Sequence, residues 1–312
     1  MSAITCISLA TMAETATPPE SVICLGNFDG VHAAHRELMR QTARLQAERF
    51  ATASRAVFCF DPPSSDLLSP TPIPHLATRE QKLGLFREMG MEYAFLADFC
   101  AIRDLSPMEF TEQILHNTCN CVAAVCGFNF RFGKNGDGSS ADLHALLHAP
   151  VLVCEEITLE GETVSSTAIR RLLTDGNVER ANRMLMRPYS ICAEIVHGKS
   201  LGQKLGTPTI NQRIPRGMLI PRHGVYVTDC EIDGKVWRGV SNVGVRPTVE
   251  STSSANCETY LLDFSGDLYG KTARISFRAF LRPERTFSSL EELKEQIERN
   301  ISDARRYSKS DF

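Results

Sequence analysis

The chain has 312 residues, 43% of them hydrophobic and 23% charged, and a formal net charge of −3. That length suits two modest domains, and that balance suits a globular protein with enough apolar material for real cores. The slight acidity argues against a chain that lives on nucleic acid, which shows a clustered basic excess. The first elements follow from residue 21. Residues 21–25 form a short apolar run closed by Gly26, and residues 35–50 carry Leu38, Met39, Ala43 and Leu45 on a helical period. Residues 56–60 are apolar and end at Asp61-Pro62-Pro63. A helix is expected over 79–89, a strand over 92–96, a helix over 107–116, and strands over 121–126 and 151–154. This alternation predicts a parallel sheet with helices on both faces, with ligands beyond the carboxyl ends of its strands.

Two helices are expected over 167–173 and 178–186, separated by Asp175-Gly176-Asn177 and ended by Arg187-Pro188. After Pro188 the texture changes to short β-rich runs, such as 191–196, 224–230 and 274–280, punctuated by Gly, Pro, Asn and Asp. That predicts an antiparallel barrel. An amphipathic helix over 289–301 closes it, with Leu290, Leu293, Ile297 and Ile301 on one stripe. The predicted domains are 1–187 and 188–312.

Eleven cysteines, mostly within apolar runs and without a C-x-x-C pair, read as small buried hydrophobes in a reducing cytosol. Cys119-Asn120-Cys121 has no second pair to complete a zinc site. His144 and His148, four apart, read as a solvated face. The N-terminus lacks the pattern of a signal peptide, and no apolar run reaches the roughly 20 residues that span a bilayer. A cytoplasmic protein with no membrane or nucleic-acid partner is expected; its oligomeric state is left open.

Gly26-Asn27-Phe28-Asp29-Gly30-Val31-His32-Ala33-Ala34-His35 follows a strand and opens a helix. A turn leading into a helix N-terminus offers backbone N–H groups and the positive end of the helix dipole to an anion. His32 and His35, three apart, can face one ligand and donate to phosphate as charge builds on a leaving pyrophosphate. The block resembles the G-x-F-D-G-V-H-x-G-H signature of bacterial FAD synthetases, with Ala34 in place of a glycine. Gly127-Phe128-Asn129-Phe130-Arg131-Phe132-Gly133 is similar to the family's segment after a central strand. There Asn129 is implied to contact nucleotide or flavin, while Phe130 and Phe132 read as core. Val164-Ser165-Ser166-Thr167-Ala168-Ile169-Arg170 is similar to the family's second signature, and implies that Ser165, Thr167 and Arg170 bind ATP phosphates.

The second half resembles riboflavin kinases. Leu205-Gly206-Thr207-Pro208-Thr209-Ile210-Asn211 is similar to their G-F-P-T-A-N motif, which implies that Thr209 and Asn211 hold Mg²⁺ and the ATP phosphates. His197-Gly198-Lys199-Ser200-Leu201-Gly202 looks like their glycine-rich flap, with Gly198 on the nucleotide; Gln203 stands where the family has a basic residue. Asn256-Cys257-Glu258-Thr259-Tyr260 is similar to the segment whose glutamate is the base, here Glu258. Asn242-Val243-Gly244-Val245-Arg246-Pro247-Thr248 is a further landmark, and Arg282 and Phe287 match the flavin side.

The likeness runs over about residues 21–305. It implies a doubly wound Rossmann-like nucleotidylyltransferase domain followed by an antiparallel β-barrel with a terminal helix. The implied function is phosphorylation of riboflavin to FMN and adenylylation of FMN to FAD, with ATP and Mg²⁺. The departure at Ala34 leaves a second reading: a riboflavin kinase whose N-terminal domain is weak or of altered specificity.

Overall fold

The structure, a computed structural model, describes residues 4–8, 18–63, 72–197, 209–245 and 255–308. The chain forms two compact units, one from residues 1–73 and 77–165, the other from 74–76 and 166–312.

The first unit holds six parallel strands: β1 (Thr5–Ser8), β2 (Ser21–Leu25), β3 (Ser54–Phe60), β4 (Tyr93–Ala97), β5 (Cys121–Gly127) and β6 (Val151–Cys154). Their order across the sheet is β1-β4-β3-β2-β5-β6. β2 is buried along its whole length, because successive side chains serve opposite faces and both faces are covered. Ile23 and Leu25 join Phe58, Phe95, Phe110 and Leu115 on one side. Cys24 joins Phe28, Met39 and Phe86 on the other. The latter come from the turn after β2, from α1 (Ala33–Arg49) and from α2 (Arg79–Glu88). The chain moves outward from β2 through β3 to β4 and then returns to the far side of β2 as β5. The strand order therefore reverses between β2 and β5, where open α/β sheets bind ligands.

β1 was not expected; its side chains are mostly exposed, so no apolar run announces it. The helix expected over 107–116 begins with a Ser106–Glu109 capping box, then widens into a π-helix over Phe110–Thr118. Its Cys119 N–H donates to the Ile114 carbonyl, five residues back. Cys24, Cys59, Cys121 and Cys126 are buried, as expected of small hydrophobes. His144 and His148 are exposed, but His148 lies beyond the helix Ser140–Leu146 and not on it.

The second unit is built on a closed antiparallel barrel of β7 (Tyr189–Val196), β8 (Thr209–Arg213), β9 (Gly224–Ile232), β10 (Lys235–Val245), β11 (Ala255–Leu261) and β12 (Thr272–Arg282). Their order is β7-β8-β11-β10-β9-β12, closing on β7. The change of texture near residue 187 marks the first barrel strand, whereas the compact unit starts at Ser166. Two helices, α3 (Ser166–Asp175) and α4 (Val178–Leu185), belong with the barrel. Asn182 fastens α4: its Nδ2 donates to the Phe277 carbonyl at 2.8 Å, and its Oδ1 accepts from the Tyr189 N–H at 2.7 Å. The terminal helix α5 spans Leu290–Arg306, with Ser289 as its N-cap. The expected stripe needs correction at its start, because Leu290 is 64% exposed. α5 meets the barrel with its second half, where Ile301 and Ala304 pack with Val227, Val240 and Leu262.

Candidate active sites

In the first unit, the loop after β2 turns within a few residues and uses strained backbone to do so. Phe28, Gly30 and Val31 all have positive φ, and at the β-branched Val31 (φ +41°) that conformation is a genuine outlier. What holds it is burial. Phe28 is fully enclosed, edge-on to Phe86 at 5.5 Å and to His35 at 5.1 Å, while the Val31 N–H closes the turn on the Phe28 carbonyl. Gly26 and Asp29 are half-buried and Asn27 is exposed.

The turn delivers the N-terminus of α1. His32 is the N-cap in extended conformation, yet its side chain caps nothing and the first turn contains no acid. The first intrahelical bond runs from the Arg36 N–H to the His32 carbonyl. The amides of Ala33, Ala34 and His35 thus remain outside the helical ladder, at the positive end of the dipole. His32 and His35 stack with centroids 3.6 Å apart and planes inclined by 18°. Burial, then the neighbouring His32, then Lys82 hold the His35 imidazole well below its ordinary pKa. His35 is therefore neutral at neutral pH, with one ring N–H to give.

Asn129 lies in the turn just past β5, the neighbour of β2, and is exposed. Phe132 is core, 5.5 Å from Phe110, and Phe130 stacks on it, as expected of aromatic packing. Ser165 ends the first unit, half-buried; Thr167 and Arg170 belong to α3 in the second. The Arg170 Nε donates to the Pro74 carbonyl at 2.8 Å, which anchors one edge of its guanidinium. Lys82 on α2 carries no sequence signal, yet it is only 6% exposed.

In the barrel, register brings the expected residues together. Thr209 and Asn211 share one face of β8, since they are two apart. Asn211 pairs directly with Glu258 on β11, and Glu258 pairs on its other side with Asn242 on β10. Asn211 is 4% exposed, and its Oδ1 accepts from Asn256 Nδ2 at 3.3 Å. Asn242 Nδ2 donates to Glu284 Oε1 at 3.1 Å, a contact no motif announced. Arg282 lies over the Phe287 ring at 5.6 Å and donates from Nε to Asn300 Oδ1 on α5 at 3.4 Å. Gly198 and the rest of the expected flap, with Gln203, residues 205–208 and residues 246–248, lie outside the described residues.

The donor set on this face is a hydroxyl, an amide carbonyl and a carboxylate. Hard oxygens of this kind suit Mg²⁺ bridged to phosphate. Among the described residues no three His, Cys, Asp or Glu cluster as metal ligands.

Known proteins share both halves. The family model for FAD synthetase matches residues 14–168, ending before Arg170, and that for riboflavin kinase matches residues 185–308. The bifunctional riboflavin kinase/FMN adenylyltransferase of Pseudomonas fluorescens is 36% identical over 91% of this chain and 92% of its own length. Those of Bacillus subtilis and Listeria monocytogenes are 33% and 31% identical, covering 92% and 93% of each chain. A crystal structure described as a macrolide-efflux protein from Streptococcus pneumoniae superimposes with a TM-score of 0.90 at 28% identity, covering 98% of this chain and 100% of that one. Among the described residues here, no helix is long and apolar enough to cross a membrane.

Proposed function

Because the chain belongs to the family of bifunctional riboflavin kinase/FMN adenylyltransferases, we propose that its two units divide the two reactions, with Glu258 and the His32–His35 pair at their centres. The enzyme phosphorylates riboflavin to FMN and adenylylates FMN to FAD; matches to both halves favour this over a kinase with an altered N-terminal domain. The observation that carries the kinase assignment is the direct pairing of Asn211 with Glu258. Glu258 takes the proton of the riboflavin 5′-hydroxyl as that oxygen attacks the γ-phosphorus, and the electron pair of the breaking bond leaves with ADP. Thr209 and Asn211 are the residues that would hold Mg²⁺ beside the ATP phosphates. When bound, the ion neutralises charge on the transferring phosphoryl group. Gly198 is assigned to the nucleotide, and Arg282 with Phe287 to the flavin.

In the first unit, an FMN phosphate oxygen attacks the α-phosphorus of ATP and pyrophosphate departs. The stacked histidines and the first amides of α1, following Gly26, Asn27, Phe28 and Asp29, provide donors for that leaving charge. Asn129 is assigned to nucleotide or flavin. Ser165, Thr167 and Arg170 are assigned to ATP phosphates by their motif. The setting is the cytoplasm, where ATP is supplied. Purified protein incubated with riboflavin, ATP and Mg²⁺ should yield FMN and then FAD on chromatographic separation; FMN alone would return the first unit to the kinase-only reading.

A further inference from the structure

α2 buries a lysine on the face it uses for its core. Lys82 precedes Phe86 by one helical turn, so the two share a stripe. Phe86 packs on Phe28, which in turn contacts His35. Lys82 lies close enough to the Cys59 thiol, near the carboxyl end of β3, and to His35 for its charge to act on both. It is thus directed to the carboxyl edge of β2 and β3, where the histidine pair sits.

None of these neighbours is an anion. Burial raises the Cys59 thiol, so it stays protonated. His35 is neutral. Asp61, two residues beyond Cys59, is engaged by Arg79 Nε at 2.5 Å. Among the described residues no carboxylate pairs with Lys82. With most of the side chain enclosed and no carboxylate of the described residues on its ammonium, Lys82 is placed to receive an anion from outside the chain.

We propose that Lys82 is a phosphate-binding residue of the adenylyl-transfer site, pairing its ammonium with the pyrophosphate portion of the nucleoside triphosphate. The proposal rests on the reading of the first unit as an adenylyltransferase. In that reaction the bond from the FMN phosphate oxygen to the α-phosphorus forms as the α–β phosphoanhydride bond breaks. The electron pair goes to the leaving pyrophosphate, whose charge rises. His35 supplies an N–H group without net charge; Lys82 supplies positive charge, as a compact point on a flexible stem.

The test uses the full-length protein and inorganic pyrophosphate as probe. Lys82→Met keeps length and suits a buried position, so melting temperature should hold or rise. Calorimetric affinity for pyrophosphate should fall by about tenfold or more, the scale of one charge-assisted contact. FAD formation from FMN should fall by about 10²-fold, while FMN formation from riboflavin stays at the wild-type rate. Lys82→Arg, which keeps the charge, should recover part of the pyrophosphate affinity; Lys82→Gln repeats the test should methionine lower the melting temperature. Wild-type pyrophosphate affinity in the neutral variants overturns the proposal. A wild-type enzyme that binds pyrophosphate but forms no FAD overturns the adenylyltransferase reading instead, and leaves Lys82 to be judged by the affinity arm.

Discussion

Glu258 on β11 stands directly opposite Asn211 on β8, in the register of an antiparallel pair. Side chains so paired have Cβ atoms about 4.5–5.5 Å apart. A carboxylate and an amide are thereby set side by side, and the proposed roles are metal and phosphate for the amide and the proton for the carboxylate. Glu258→Gln keeps the shape and removes the basicity. FMN formation should fall by about 10²–10⁴, ATP affinity should change little, and FAD synthesis from supplied FMN should continue. Measuring all three on one folded sample separates the roles: near-normal kinase turnover would remove Glu258 as the base, and joint loss of ATP binding would make it a metal or folding residue.

His35 gives the first unit a pH-dependent stability of definite sign. Its folded pKa is depressed, first by burial, then by His32 and Lys82, which face it from α1 and α2. Unfolded, it titrates near 6.5. Below that value the unfolded chain binds a proton that the folded chain refuses, so this contribution is present at higher pH and is lost as pH falls through about 6.5 and below. His35→Gln removes the titrating group. Its melting temperature should therefore change less than that of the wild type between about pH 7.5 and about pH 5.5. Equal slopes for the two proteins would show that His35 is not held neutral.

How much of this was legible in the sequence depended on the range of the interactions. β2, β3, α1 and the turn from Gly26 to His35 were legible because periodicity and turn chemistry are local. The barrel was legible as a class, since punctuation marks short strands, but its pairing was not. That Asn211 meets Glu258, 47 positions later in the sequence, is set by register across β8 and β11. Lys82 was missed because a lysine in an amphipathic helix is normally a solvated one; only packing of α2 onto Phe28 reveals that it is buried. Asn182 was missed for the same reason, and with it the attachment of α4 to the barrel.

Asn182 is fully buried and satisfies two backbone groups, the Phe277 carbonyl and the Tyr189 N–H. Asn182→Ala leaves both without that partner in a place water does not reach. An unsatisfied buried group costs about 1–3 kcal/mol, so the second unit should lose about 2–4 kcal/mol. Denaturant unfolding followed at Trp237, the single tryptophan and a residue of β10, reads that unit. FMN formation at low temperature should persist, because the substitution touches no kinase residue. A midpoint unchanged from wild type would mean that α4 is not held to the barrel by this side chain.

Gly244 separates a stability effect from a kinetic one. It lies on β10 two residues beyond Asn242, on the same face as Glu258, and a Cβ there would run into Glu284 Oε1. Glu284 is exposed and flexible, so Gly244→Ala moves the carboxylate aside and leaves the backbone alone. Alanine also costs a strand less conformational entropy than glycine, so the melting temperature should hold. What is lost is the 3.1 Å bond from Asn242 Nδ2 to Glu284 Oε1, which orients the amide directly opposite Glu258. Loss of positioning next to the base should lower kcat for FMN formation by about tenfold, with KM for ATP little changed. Glu284→Ala should do the same by removing the acceptor, and Glu284→Gln, which keeps a carbonyl oxygen for Asn242, should restore most of the rate. Because both alanine variants break one contact, the double variant should be no slower than either single one. Multiplying losses in the double variant would show that Gly244 and Glu284 act separately, and a full rate in Glu284→Ala would show that Asn242 needs no tether.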